Sequence, residues 1–345
     1  MALTRTQRTA LMMGAAGAGL FLLSRTLRKR ESYDFAGKSV LITGGSRGLG
    51  LILARELADE GARLTLVARD DDELARAADD IRTRQPFAEV VTVSADVRRR
   101  YDADLAIATA LERYGRIDVL INNAGIIQVG PIEHMKLADF EDAMNTHFWG
   151  PLYMVAAALP QMRKQGEGRI VNITSVGGRI AVPHLVPYSA SKFALVGLSD
   201  GLRYELAHEN ILVTTVCPGL MRTGSPVNAM FKGQRPQEYA LFAISDSLPL
   251  SSINAQRAAR QIVDACRRGD AELVITLQAK LAILARTAAP ELFADLMSLT
   301  TRLLPGPVAG GDVAKPGTES ESAWAPSPLT ATTYEAAEEN NEKKH

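Results

Sequence analysis

Residues 38–50 read Lys-Ser-Val-Leu-Ile-Thr-Gly-Gly-Ser-Arg-Gly-Leu-Gly, and the next stretch is helical in pattern to about Asp59. A short apolar run, a glycine-rich turn and a helix in that order leave a chain few folds to choose from. Gly44, Gly48 and Gly50 let the backbone turn sharply and approach a pyrophosphate, whose charge then faces a helix N-terminus. A glycine run alone is also what an ordinary turn looks like. Its place between strand and helix gives it weight here.

The same alternation continues downstream. Strand-like runs fall at Arg63–Ala68, Glu89–Ser94, Ile117–Ile121, Arg169–Thr174, Ile211–Val216 and Glu272–Ile275. Helical stretches fall between them at Asp71–Arg84, Ala103–Tyr114, about Leu137 to Lys164, Pro187–His208 and Asn254–Arg268. Continuous Val/Ile/Leu strands separated by helices predict an α/β fold: a doubly wound, Rossmann-type parallel sheet in a single domain, with helices on both faces. Its ligand site should lie beyond the carboxyl ends of the strands.

Composition excludes several classes. With 345 residues, 46% hydrophobic and 23% charged, the chain is neither collagen-like, coiled-coil nor wholly disordered. Thirty-nine basic residues balance 39 acidic ones, which argues against a nucleic-acid partner. Two cysteines, Cys217 and Cys266, imply no disulfide framework. The five histidines show no metal-ligand spacing, so no metal is expected.

The two ends depart from this pattern. Ala10–Leu23 is apolar and uncharged, preceded by Arg5 and Arg8 and followed by Arg25, Arg28, Lys29 and Arg30. As a helix it spans about 21 Å, short of a hydrocarbon core of roughly 30 Å, although flanking arginines can snorkel. Residues 1–32 therefore read as a membrane anchor or membrane-surface helix, which the larger C-terminal basic cluster would orient with a cytoplasmic body. A cleaved signal, which those basic residues oppose, and a helix packed on the body are the alternatives. Residues 33–276 are expected to form the Rossmann-type domain that carries the site. In 277–304, Leu277, Leu281, Leu284, Ala288, Leu292, Leu296, Leu299 and Leu303 form an amphipathic stripe that Pro290 kinks or divides. Packing on the body or a dimer partner is favoured for it over membrane contact. Residues 305–345, rich in Gly, Pro, Ser, Thr, Ala and Glu, should be a disordered tail.

The chemistry sits at the strand ends. Asp70 lies where an NAD-preferring site often places an acidic residue, yet Asp70, Asp71 and Asp72 look like a helix-start cluster. Arg69 with Arg47 would pair a 2′-phosphate, so NADPH is the expected cofactor and NADH the second choice. Asp96 ends the third strand, Asn122-Asn123-Ala124-Gly125 the fourth, and Ser175 the fifth; Asn145 lies in the long helix. Tyr188 and Lys192 are four residues apart and point from one helical face. A tyrosine near pKa 10 is a poor base until a nearby ammonium favours its phenolate. With a serine to hold a carbonyl oxygen, the pair is an apparatus for proton transfer in carbonyl reduction.

Together, TGGSRGLG, NNAG, Asn145, Ser175, YSASK and Pro218-Gly219 followed by Thr223 resemble the short-chain dehydrogenase/reductase family over about Phe35 to Ile275. The thirteen-residue step from Ser175 to Tyr188 belongs to that pattern. The resemblance implies Tyr188 as general acid/base, Lys192 on the nicotinamide ribose and lowering the tyrosine pKa, Ser175 orienting the substrate oxygen, and Asn145 holding a relay water. It implies cofactor contacts from Gly44, Ser46, Arg47, Gly48, Leu49, Gly50, Arg69, Asp96, Val97, Asn123, Ala124, Gly125, Pro218, Gly219 and Thr223, and a homo-oligomer. The expected function is NADPH-dependent hydride transfer between nicotinamide and a carbonyl or alcohol. Met221, Val227, Met230, Phe231, Tyr239, Leu241 and Phe242 suggest an apolar lid for a ketone, steroid, lipid or retinoid-like substrate, or simply cap the core. The competing reading is a catalytically idle dinucleotide-binding scaffold or sensor at the membrane.

Overall fold

The computed structural model describes residues 33–248 and 252–343; the apolar run 10–23 lies outside them. Residues 35–345 make one unit of the chain. Its centre is a seven-stranded parallel sheet in the order β3-β2-β1-β4-β5-β6-β7, comprising β1 Ser39–Thr43, β2 Arg63–Ala68, β3 Val90–Ser94, β4 Val119–Asn122, β5 Gly168–Ile173, β6 Ile211–Cys217 and β7 Glu272–Val274. β1 sits between β2 and β4, with Val40 opposite Leu64 on one side and Val119 on the other. The strand order reverses there, which opens a crevice at the carboxyl ends of the two halves.

β1, β4, β5 and β6 are buried at every position. Their Val, Ile and Leu content is what a sheet covered on both faces requires. One core layer joins Leu41, Val67, Leu120, Ile170 and Val213 of the sheet to residues of two helices, Arg100–Tyr114 (α3) and Gly150–Gln165 (α5), among them Ala106, Ala110, Met154 and Met162. Gly48–Asp59 (α1) and Asp71–Arg84 (α2) flank the first strands, Leu137–Met144 (α4) precedes α5, and Val186–Leu206 (α6) and Ala255–Arg268 (α8) flank the last. Arg235–Ser247 (α7) lies between them in sequence.

Three expectations need correction. The helix expected from Leu137 to Lys164 is divided by a π-helical turn at Asn145–Trp149, closed by the Gly150 N–H donating to the Asn145 carbonyl. One extra residue in a turn rotates the downstream helix by on the order of 100°, the angle per helical residue. Second, the leucine stripe, divided at Pro290 as expected into Leu277–Ala288 (α9) and Pro290–Thr301 (α10), does not pack on the described body. Its leucines at 277, 281, 284, 292, 296, 299 and 303 are exposed.

Third, residues 305–343 are folded. A short strand, Lys315–Pro316, pairs antiparallel with another at Met230–Phe231, and Ala331–Glu339 (α11) docks on the body, burying Thr330, Thr333, Ala336 and Ala337. The Tyr334 hydroxyl lies 2.7 Å from that of Tyr239, and Thr333 donates to Asp246 at 3.2 Å. Small side chains and hydrogen bonds dock this segment on a surface that is already folded, so it needs no core of its own.

Among the described residues no helix is long and apolar enough to cross a membrane.

Candidate active site

A cavity of about 750 Å³ opens at the carboxyl ends of the strands. All the site residues singled out in the sequence line it except Gly50 and Asn145.

The glycine-rich loop forms one end. Gly44 has φ +65° and a side chain there would stand 2.9 Å from the Ala124 Cα; at Gly50 it would fall 1.9 Å from the Gly44 carbonyl oxygen. Only bare backbone lets α1 start so close beneath the loop. Asn123 ties the loop to β4, its side-chain amide donating to the Thr43 and Gly44 carbonyls at 3.1 Å each. Gly50 and Asn123 thus shape the cradle from behind. A backbone without side chains at a helix N-terminus, at the mouth of a long cavity, fits a dinucleotide pyrophosphate.

Asp70 caps α2, accepting from the Glu73 N–H at 3.0 Å. Arg69 is exposed at the cavity edge. Arg47 pairs with Glu73 at 3.1 Å and with Glu342, from the C-terminal segment, at 3.3 Å. Ser46 also donates to Glu73, at 3.1 Å. Burial pushes the Asp96 carboxyl upward, but hydrogen bonds from Arg98 outweigh this and leave it below its usual range.

At the other end Ser175, Tyr188 and Lys192 meet. β5 runs out at Ile173, and Ser175 caps the following turn, accepting from the Gly177 N–H at 3.0 Å. This use of its lone pair leaves the hydroxyl proton available. Tyr188 and Lys192 lie on the first two turns of α6. Lys192 is buried; its ammonium donates to the Ile173 carbonyl at 2.9 Å and lies 5.6 Å from the centre of the Tyr188 ring. Burial pushes the Lys192 amine down to about 7. Burial also raises the Tyr188 phenol, against a lowering hydrogen bond with Ser175. The ammonium is thus directed at a backbone carbonyl and at the face of the ring.

Asn145 stands apart from the site. It is exposed and does not line the cavity, because the π-turn carries it outward. His147 comes inward instead. Its imidazole is fully buried, edge-on to Tyr188 with ring centres 5.4 Å apart. Nε2 accepts from the Ile126 N–H at 3.1 Å, so Nδ1 carries the proton and donates to the Ser191 hydroxyl at 2.7 Å, which donates to the Tyr188 carbonyl at 2.8 Å. Burial, and then the charge of Lys192, hold its pKa well below the usual 6.5. Periodicity could not distinguish His147 from Asn145, since nothing in the sequence marks the π-turn. Glu73 and Glu342 carried no motif either.

The sequence model of the family described as short chain dehydrogenase matches residues 38–231. The chain belongs to that family. An 11-beta-hydroxysteroid dehydrogenase-like protein of Arabidopsis thaliana is 40% identical over 57% of this chain, a stretch that covers 65% of the relative's length. The mouse dehydrogenase/reductase SDR family member 7B is 30% identical over 86% of this chain and 92% of its own. The crystal structure of levodione reductase superposes with a TM-score of 0.62 at 28% identity, covering 71% of this chain and 99% of that chain. These similarities place the sheet and its crevice in the family's fold. Members of the family are NAD(P)-dependent oxidoreductases acting on CH–OH or C=O groups.

The apolar residues expected as a lid divide between two tasks. Met221 and Met230 line the cavity, joined by Ile126, Ile127 and Pro316. Phe231, Tyr239 and Phe242 form a small core with Val129, Ala325 and Tyr334, Val227 is buried, and Leu241 is exposed. No group of three or more His, Cys, Asp or Glu among the described residues could hold a metal.

Proposed function

We propose that the chain is an NADPH-dependent reductase of hydrophobic ketones or aldehydes. The observation that carries the reading is the convergence of Ser175, Tyr188 and Lys192 at one end of a cavity whose other end holds Arg47 and Arg69. The glycine loop and the start of α1 would receive the pyrophosphate, Arg47 and Arg69 the 2′-phosphate, Asp96 and Val97 the adenine, Lys192 the ribose, and Pro218, Gly219 and Thr223 the carboxamide. The capping role of Asp70 supports NADPH, since that carboxylate is already engaged by a helix N-terminus.

When bound, the nicotinamide supplies the hydride. The protein's part is to orient the carbonyl and to manage its oxygen. Ser175 donates to that oxygen, and Tyr188 delivers the proton. A buried phenol with a raised pKa stays protonated at neutral pH, which suits an acid in the reductive direction. His147 acts through Tyr188: both ring nitrogens are committed, so it positions the α6 N-terminus rather than passing protons. The apolar wall of Ile126, Ile127, Met221 and Met230 favours a hydrophobic substrate. Attachment to a membrane through residues 10–23 belongs to the same proposal, on hydropathy and flanking charge alone.

The test is a carbonyl panel run with NADPH and NADH on the wild type and on Tyr188→Phe. The variant should still bind NADPH and lose on the order of 10²–10⁴-fold in turnover, the span of acid–base catalysis. Normal turnover by a variant that binds NADPH would overturn the assignment.

A further inference from the structure

The C-terminal segment reaches into the cofactor cradle itself. The Asn340 carbonyl accepts the Gly48 N–H at 2.9 Å, at the first turn of α1. A side chain on Gly48 would meet the Glu342 carboxylate at 2.5 Å, so that carboxylate lies directly over the loop. Glu342 pairs with Arg47 at 3.3 Å and accepts from the Asn228 amide at 2.6 Å. Asn341 locks the strap from behind, donating to the Ser46 carbonyl at 2.9 Å and the Glu73 carbonyl at 3.1 Å. The strap hangs from α11, whose Ala337 packs so tightly that a side chain on Gly224 would lie 2.3 Å from its Cα.

These contacts use the groups that an anion at this loop needs: a backbone N–H at a helix start and the nearby guanidinium. An anionic side chain is already there, itself almost fully buried. We propose that residues 340–342 are an intramolecular ligand of the glycine-rich loop, which the dinucleotide must displace, so that the C-terminal segment sets the enzyme's apparent cofactor affinity. The proposal rests on the reading of Gly44–Gly50 as a dinucleotide site. The Asn340 carbonyl holds the Gly48 N–H that the pyrophosphate would need, and the Glu342 carboxylate holds the Arg47 guanidinium that the 2′-phosphate would need, so strap and dinucleotide compete for the same donors. A strap closed nine-tenths of the time weakens apparent binding about tenfold, because only the open fraction accepts the cofactor.

Amide hydrogen exchange of the full chain, with and without saturating NADPH, reads displacement directly. Exchange over residues 331–343 should rise about tenfold when NADPH binds. Titration of NADPH into Glu342→Gln, which keeps the shape and removes the charge, should show binding tighter by roughly fivefold or more. Ala337→Leu, which overfills the contact with Gly224 and leaves the cradle residues untouched, should do the same. Both results are required. Exchange that falls or stays constant in the NADPH-bound chain, or variants that bind no tighter than wild type, would make the strap part of the cofactor-bound site and overturn the proposal. Absence of NADPH binding in the wild type and in both variants is a different result: it removes the dinucleotide reading, and the proposal with it.

Discussion

Replacing His147 by Phe probes the one buried imidazole against which Tyr188 packs. The ring volume and the edge contact survive, while both hydrogen bonds go. The Ile126 N–H loses its acceptor, which costs about 1–3 kcal/mol, and Ser191 loses one of two partners, about 1 kcal/mol more. The expected destabilisation is about 2–4 kcal/mol, or a fall in Tm of roughly 3–6 °C for a body of this size. A second signature separates the imidazole from mere packing. His147 is held neutral by burial, with a folded-state pKa well below the 6.5 it regains on unfolding. The unfolded chain therefore binds a proton that the native state refuses. The stability this residue contributes is full above 6.5 and is lost as pH falls below it. Between pH 6.5 and about 5.5, wild type should lose about 1 kcal/mol that His147→Phe does not. Urea unfolding at the two pH values, with Tm from circular dichroism, measures both effects. A variant within about 1.5 °C of wild type (half the smallest fall expected), with an unchanged pH slope, would refute the reasoning.

Asn145→Ala should leave turnover within about twofold of wild type, since the side chain is exposed and outside the cavity; steady-state kinetics on any working substrate checks this. Gly50→Ala should abolish NADPH binding, measured by fluorescence titration, because its methyl group would stand 1.9 Å from the Gly44 carbonyl oxygen. Burial pushes the Lys192 amine down to about 7, so its charge, and with it NADPH binding, should weaken as pH rises through 7. Lys192→Met should flatten that dependence in the same titration.

The parts legible in the sequence were those in which one local cause decides the outcome. Ser39–Thr43 had to be buried on both faces because nothing polar interrupts its Val-Leu-Ile centre. Asp70 was readable as a cap because Asp, Asp and Glu follow it into a helix. Tyr188 and Lys192 were readable because four residues on a helix return to one face, wherever that helix is placed. Arg47 was readable as a cation near the loop, but its partners were not: Glu73 lies 26 residues away and Glu342 lies 295 away.

What escaped the sequence depends on contacts that no window contains. Asn145 and His147 are two positions apart, and an uninterrupted helix from Leu137 to Lys164 gives no reason to insert a residue between them. The π-turn is a tertiary choice, in which the committed ring nitrogens of His147 and the burial of its imidazole offset the poorer helical bond. The C-terminal segment failed for a different reason. For a segment of this composition that had to build its own core, ordering would cost more than its few large apolar groups return. It has no such task. Ala337 against Gly224, Tyr334 against Tyr239 and Asn341 against the glycine loop each use a surface the sheet has already made rigid. A segment ordered by docking is also one that a better ligand for the same surface can release. The feature that composition misjudged is therefore the one through which cofactor binding would be regulated.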